Sequence, residues 1–242
     1  MSLLFETTPD GAARYLDWIL NGLCWTLCLA LGAWVIALVV GTFVGVARTL
    51  PGGILPRAGR VYVETFRNIP LLVQMFFWYF VLPELLPVRL GMAIKQMDPP
   101  WGSFIPALIC LGLFTAARIA EQVRAGLQAL PRGQMQAADA LGFDRGGIYR
   151  LILLPQAFRI ILPTLTNEFM TIFKNTSVAL TIGLVELTAT AREINENTFR
   201  TFEAFGVVTI VYLVIALIAW QVMYRIERAV QLPGLAGGRP RP

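Results

Sequence analysis

Two ionisable side chains, Glu168 and Lys174, interrupt an apolar stretch that runs from about Ile160 to Val185. Around them Thr164, Asn167, Glu168, Thr171, Lys174, Asn175 and Thr181 recur at three- and four-residue intervals. On a helix that spacing gathers them on one broad face. A charge at the bilayer centre costs at least about 2.5–3.5 kcal/mol, so such a face meets protein or a water-filled path and not lipid. Asn167, Glu168, Thr171, Lys174 and Asn175 are therefore candidates to line a substrate path or a subunit seam. Lys174 is the candidate counter-charge for an anionic substrate. The competing reading is an interhelical polar lock needed for folding. Six residues separate Glu168 from Lys174, which turns them roughly 120° apart on a helix. Each then needs a partner from another helix or subunit.

Little else in the chain suggests chemistry on bonds. Histidine is absent, which removes imidazole acid–base catalysis and His-ligated metal. Cys24, Cys28 and Cys110 fall in apolar runs without metal-ligand spacing and read as small apolar fillers. There is no G-x-x-x-x-G-K-[ST] run to cradle a nucleotide. Arg118, Glu121 and Arg124 stand three apart and are expected to pair locally. The run Phe76-Phe77-Trp78-Tyr79-Phe80 reads as packing plus an interfacial belt. Pro70 marks either a kink or a helix start.

The elements that must position these residues are membrane helices. Of 242 residues, 56% are hydrophobic and only 14% charged, with a net charge of +5, against about 25% charged in a soluble domain. A span needs about 20 apolar residues. No charge falls between Asp17 and Arg48, between Asp98 and Arg118, or between Glu203 and Arg225. With about Val61–Leu82 and about Ile160–Val185, five spans are expected in an all-α polytopic protein. The first is too long, and lacks the leading basic region, for a cleaved secretion signal. Arg48, Arg57 and Arg60 follow the first span, and Arg124, Arg132, Arg145, Arg150 and Arg159 lie beyond Arg118 at the end of the third. Arg225, Arg228, Arg239 and Arg241 occupy the tail. These basic segments are expected in the cytoplasm, which places the N-terminus outside and the C-terminus inside. No internal repeat is visible. Five helices make a thin wall for a translocation path, so assembly with a second copy or a paralogue is expected. The tail LPGLAGGRPRP reads as disordered.

The segment between the third and fourth spans is the most specific. Gln134–Leu141 favours a helix, Gly142 a left-handed or tight corner, and Asp144 the N-cap of a second short helix through Arg150. Pro155 and Pro163 then punctuate the return into the membrane. Ala137, Ala138 and Ala140 keep part of the first helix smooth, so a partner's groove can approach it. An ordinary interfacial helix is the plainer alternative. The residues Gln136-Ala137-Ala138, then three residues, Gly142, nine residues, and Ile152-Leu153-Leu154-Pro155 resemble the coupling-loop signature of ABC importer permeases. The family typically has Glu where this chain has Gln136; Gln still hydrogen-bonds. FRNIPLLVQMFFWYFVLP, ARIAEQVRAGLQALPRGQMQAA and LPQAFRIILPTLTNEFMTIFKNTS resemble the permeases of the polar amino acid family. The likeness covers roughly Leu20–Arg228. EQVRAG and KNTS…IGLVEL are most similar to the glutamate/aspartate type.

This resemblance implies a type I ABC importer fold. Residues 1–17 would be an external segment, 18–228 the transmembrane domain and 229–242 a flexible cytoplasmic tail. It implies a bacterial inner-membrane permease with no cofactor of its own. ATP and Mg would be used by two copies of a separate ATPase that grips Gln136, Ala137, Ala138, Gly142, Ile152, Leu154 and Pro155. A second permease, expected to be a different subunit, a periplasmic amino-acid-binding protein and the lipid bilayer complete the partners; nucleic acid is not one. Glutamine, arginine or histidine is the alternative cargo. A non-ABC channel or scaffold would bind no ATPase, and an intramembrane enzyme would need a nucleophile beside Glu168 and Lys174.

Overall fold

The computed structural model describes residues 2–9, 11 and 13–230, and the long elements among them are all helices. After a short 3-10 turn, Ser2–Phe5, come α1 (Tyr15–Ala47), α2 (Ile54–Asn68) and α3 (Leu71–Leu85). Then follow α4 (Val88–Lys95), α5 (Trp101–Gln128), α6 (Arg132–Ala140), α7 (Arg145–Ile182), α8 (Leu187–Thr198) and α9 (Thr201–Val230). α1, α5, α7 and α9 are each long and apolar enough to cross a membrane. The expected tail lies outside the described residues, apart from its first two, which continue α9.

The second span, expected over about Val61–Leu82 with a kink or helix start at Pro70, is built from two helices. α2 and α3 pass as one span only as a pair bent by 108°. Pro70 sits at the bend, where it starts α3; a proline there lacks only an N–H that the first turn would leave unpaired. The bend leaves carbonyls at the end of α2 without helical donors. Gln74, which is 5% exposed, donates through Nε2 to the Phe66 and Ile69 carbonyls at 2.8 and 2.9 Å.

Charges do not end the third helix. α5 continues for ten residues beyond Arg118 and carries Glu121 and Arg124 as well. The connection to α7 is correspondingly shorter. α7 in turn starts at Arg145, well before Ile160, and contains Arg145, Arg150 and Arg159. Its prolines do not punctuate it. A π-helical turn over Ile148–Leu153 precedes Pro155, and Pro163 lies inside the helix. The wider turn accommodates a residue that lacks an N–H and crowds the carbonyl four back. The same device, Phe77–Val81, precedes Pro83 in α3.

The core is the pairing of α1 with α5. Ala33, Ala37, Gly41 and Gly45 form a buried row on α1, four residues apart. A Cβ on Gly41 would stand 2.9 Å from the Ala116 carbonyl oxygen, and one on Gly45 2.8 Å from that of Ala120. Backbones come this close only over small residues, the usual membrane solution where lipid removes the hydrophobic drive between helices. α7 packs on the other side of α5, α9 lies against α7, and α8 bridges α1 and α9.

Candidate functional site

The corner between α6 and α7 has a tightly specified geometry. Gly142 has φ +83°, a left-handed conformation that glycine adopts without a Cβ penalty. Its N–H donates to the Asp139 carbonyl at 3.0 Å, and that of Phe143 to the Ala138 carbonyl at 3.2 Å. This reciprocal pair ends α6 as a Schellman turn. Asp144 then caps α7 by accepting the Gly147 N–H at 3.3 Å. The predicted second short helix is instead the first turn of a continuous 38-residue helix.

The row of small residues on α6 splits in two. Ala138 is buried against Ile148 and Leu153, with Ile152 and Leu154 half-buried in the same cluster. Gln136, Ala137 and Ala140 are exposed, as is Pro155. Ala138 therefore fixes α6 to the body of the protein, while Gln136 and Ala137 face outward. The corner also reaches the turn that follows α1: the Tyr149 and Thr49 hydroxyls lie 3.0 Å apart. Beside that contact Thr49, Leu50, Met135, Asp139, Arg145 and Tyr149 line part of a recess of about 260 Å³.

The charges on α5 pair locally only in part: Glu121 and Arg124 do, and Arg118 does not. Glu121 joins three helices, bonding Arg48 of α1 at 2.6 Å and Arg124 of α5, with Arg67 of α2 at 4.0 Å. Arg118 turns away from Glu121 to Glu168 on α7, Nε to Oε2 at 3.0 Å. Gln122 donates to Glu168 at 3.2 Å and accepts the Thr164 hydroxyl at 3.1 Å. Glu168, predicted to need a partner from another helix, has found it here. Arg118 and Gln122 were not among the expected site residues. Their signal was the (i, i+4) spacing of two polar side chains on a helix that must face another one bearing a buried carboxylate.

The remaining polar residues of α7 share one edge. Asn167 and Lys174 are exposed, Thr171 and Asn175 half-buried. The Thr171 hydroxyl donates back to the Asn167 carbonyl at 2.8 Å. Lys174 has no ion-pair partner among the described residues. The arrangement is a polar edge with one free cation, and a neutralised ion pair beside it.

Past α7, Glu186 is fully buried and caps α8. Its carboxylate accepts the Thr188 and Ala189 N–H groups at 3.0 Å each and the Tyr212 hydroxyl of α9 at 2.7 Å. Burial pushes its carboxyl above the usual range, partly offset by these donors. Among the described residues no three His, Cys, Asp or Glu side chains cluster as metal ligands would.

Comparison with known proteins decides the family. A family described as binding-protein-dependent transport system inner membrane component matches residues 37–232. This chain is a member of that family. A glutamate/aspartate import permease protein GltJ of Escherichia coli (strain K12) is 45% identical over 238 residues, 98% of this chain and 97% of its own. A second such permease, GltK of Escherichia coli O6:H1, is 33% identical over 89% of this chain and 95% of its own. A crystal structure of an amino acid ABC transporter with histidines superposes at a TM-score of 0.73 and 30% identity, covering 89% of this chain and 95% of that one. The helical architecture is thus that of an ABC importer permease, an inner-membrane transport subunit whose amino-acid-permease relatives are named for transport.

Proposed function

We propose that this chain is one of two permease subunits of an ATP-driven importer for an acidic amino acid, glutamate or aspartate. In this reading the bent α2–α3 pair is the second of five crossings, and the basic connections lie in the cytoplasm with the N-terminus outside. A second, different permease pairs with it, as the existence of both GltJ and GltK suggests. Two ATPase subunits, which hold ATP and Mg, grip α6 and the corner through Gln136, Ala137, Gly142 and their neighbours. A binding protein outside delivers the amino acid.

The observation that carries this reading is the continuity of α7. One helix holds the Gly142 corner at its start and the polar edge from Asn167 to Asn175 near its end. From Arg145 to Lys174 it measures roughly 40 Å at 1.5 Å per residue. ATP-driven closure of the ATPases pushes the corner, and α7 carries the push to the edge that borders the path. The Tyr149–Thr49 contact passes the same motion to α1. Closure need only bias an equilibrium between inward- and outward-facing states. Lys174 offers the passing anion its counter-charge.

The test is uptake of labelled L-glutamate by proteoliposomes holding the permease pair, the ATPase and the binding protein. Uptake that requires both ATP and the binding protein is expected. Uptake independent of ATP would favour a channel.

A further inference from the structure

Arg118 has more donors than its partner uses. Its Nε donates to Oε1 of Glu168 at 3.1 Å and stands 3.0 Å from Oε2. Neither terminal nitrogen makes a hydrogen bond among the described residues. The side chain is 43% exposed, although Glu168 is nearly buried. Phe114 lies against the guanidinium, 5.9 Å from ring centroid to carbon. Glu168 and Phe114 therefore hold the group in one orientation and leave its terminal edge open. Two parallel N–H bonds from that edge match a carboxylate.

The open edge borders the polar face of α7. Gln122 stands between Glu168 and Thr164, and Thr164, Asn167 and Lys174 continue along the exposed side. Charge counting then favours one class of cargo. Arg118 and Glu168 cancel, and Lys174 leaves one positive charge. An acidic amino acid, with net charge −1, neutralises the set. A neutral amino acid leaves the cation unpaired in a medium where an uncompensated charge is expensive. Two carboxylates also find two cations, Lys174 lying about 9 Å along the helix from Glu168.

We propose that Arg118 is a specificity-determining residue, whose guanidinium, oriented by Glu168, binds a carboxylate of the transported acidic amino acid. The inference rests on the importer reading above and deepens it. Its test is equilibrium binding of labelled L-glutamate to the purified permease–ATPase complex without binding protein, with L-glutamine as competitor. Arg118→Gln is expected to weaken glutamate binding at least tenfold and to erase its advantage over glutamine. The exchange Arg118→Glu with Glu168→Arg restores the ion pair but reverses its direction. A purely structural pair would be rescued by it; a ligand-binding Arg118 would not, and glutamate binding should remain at least tenfold weak. Arg118→Lys keeps charge and fold but loses the planar fork, and should bind several-fold more weakly. Glutamate binding within twofold of the unmodified complex in the exchange, or in Arg118→Lys, would overturn the proposal. So would an unmodified complex that imports glutamate but binds none in its membrane part. ATP-driven uptake by that same complex separately tests the importer reading.

Discussion

Helix α5 touches its neighbours through two unlike seams. Toward α1 the contact is close and largely apolar, backbone against backbone over Gly41 and Gly45, with the Arg48–Glu121 ion pair at its end. Toward α7 it includes polar contacts between Arg118, Gln122, Glu168 and Thr164. Close backbone packing over small residues tolerates little displacement. Hydrogen bonds among long side chains can lengthen, exchange and re-form. On the proposed function, α1 and α5 would move as one body and the α5–α7 seam would be where helices slide.

Gly41→Val should have the largest effect. Its side chain meets Ile119 and the Ala116 carbonyl, so the helices must separate. Overpacking of this kind costs about 1–3 kcal/mol in a well-packed core, and backbone contact places it at the top of that range. Thermal stability in detergent should fall sharply, with little folded protein recovered. On the polar seam Glu168→Leu should cost less, about 2 kcal/mol. A fully buried pair broken in this way costs 3–5 kcal/mol, but the Arg118 guanidinium is half-exposed. The protein should still assemble, and uptake should fall more than stability does. Equal stability losses at Gly41 and Glu168 would erase the distinction between the seams.

Gly142→Ala tests the corner. Nothing stands within 4 Å of the added methyl, so the cost is the left-handed backbone alone, about 1 kcal/mol. Melting should shift little, while ATP hydrolysed per glutamate imported should rise. The smallest effect is expected at Glu186, away from both seams. Its folded carboxyl titrates above its unfolded value. The protonated form is thus favoured by folding, and that stability is full below the unfolded value and lost as pH rises through the folded one. Glu186→Gln should flatten this part of the stability–pH curve, measured by thermal inactivation across acid to neutral pH.

Much of this architecture was legible in the residues. Gly142 and Asp144 announced a corner because only a few residue types favour a left-handed turn or an N-cap. The polar spacing from Thr164 to Thr181 announced one face of a helix. Arg118 misled because its spacing suggested a local partner in Glu121, whereas its partner Glu168 lies 50 residues away on another helix. Pro155 and Pro163 misled because a π-helical turn absorbs the first, and the second is carried inside the helix. The 108° bend required knowing that Gln74 would satisfy carbonyls released at Pro70. The small-residue row of α1 was not read, because a four-residue spacing of alanine and glycine inside an apolar run does not by itself say which helix it meets.

The claim that force enters through α6 and travels along α7 is most directly tested at Ala137. This residue is exposed, beside buried Ala138, so a large cation there leaves the fold intact while blocking a close-fitting groove. Ala137→Arg should be co-purified and reconstituted with its second permease, ATPase and binding protein. The account predicts loss of bound ATPase and at least a tenfold fall in ATP-driven glutamate uptake, with the permease pair still assembled. Full ATPase retention and unchanged uptake would contradict it.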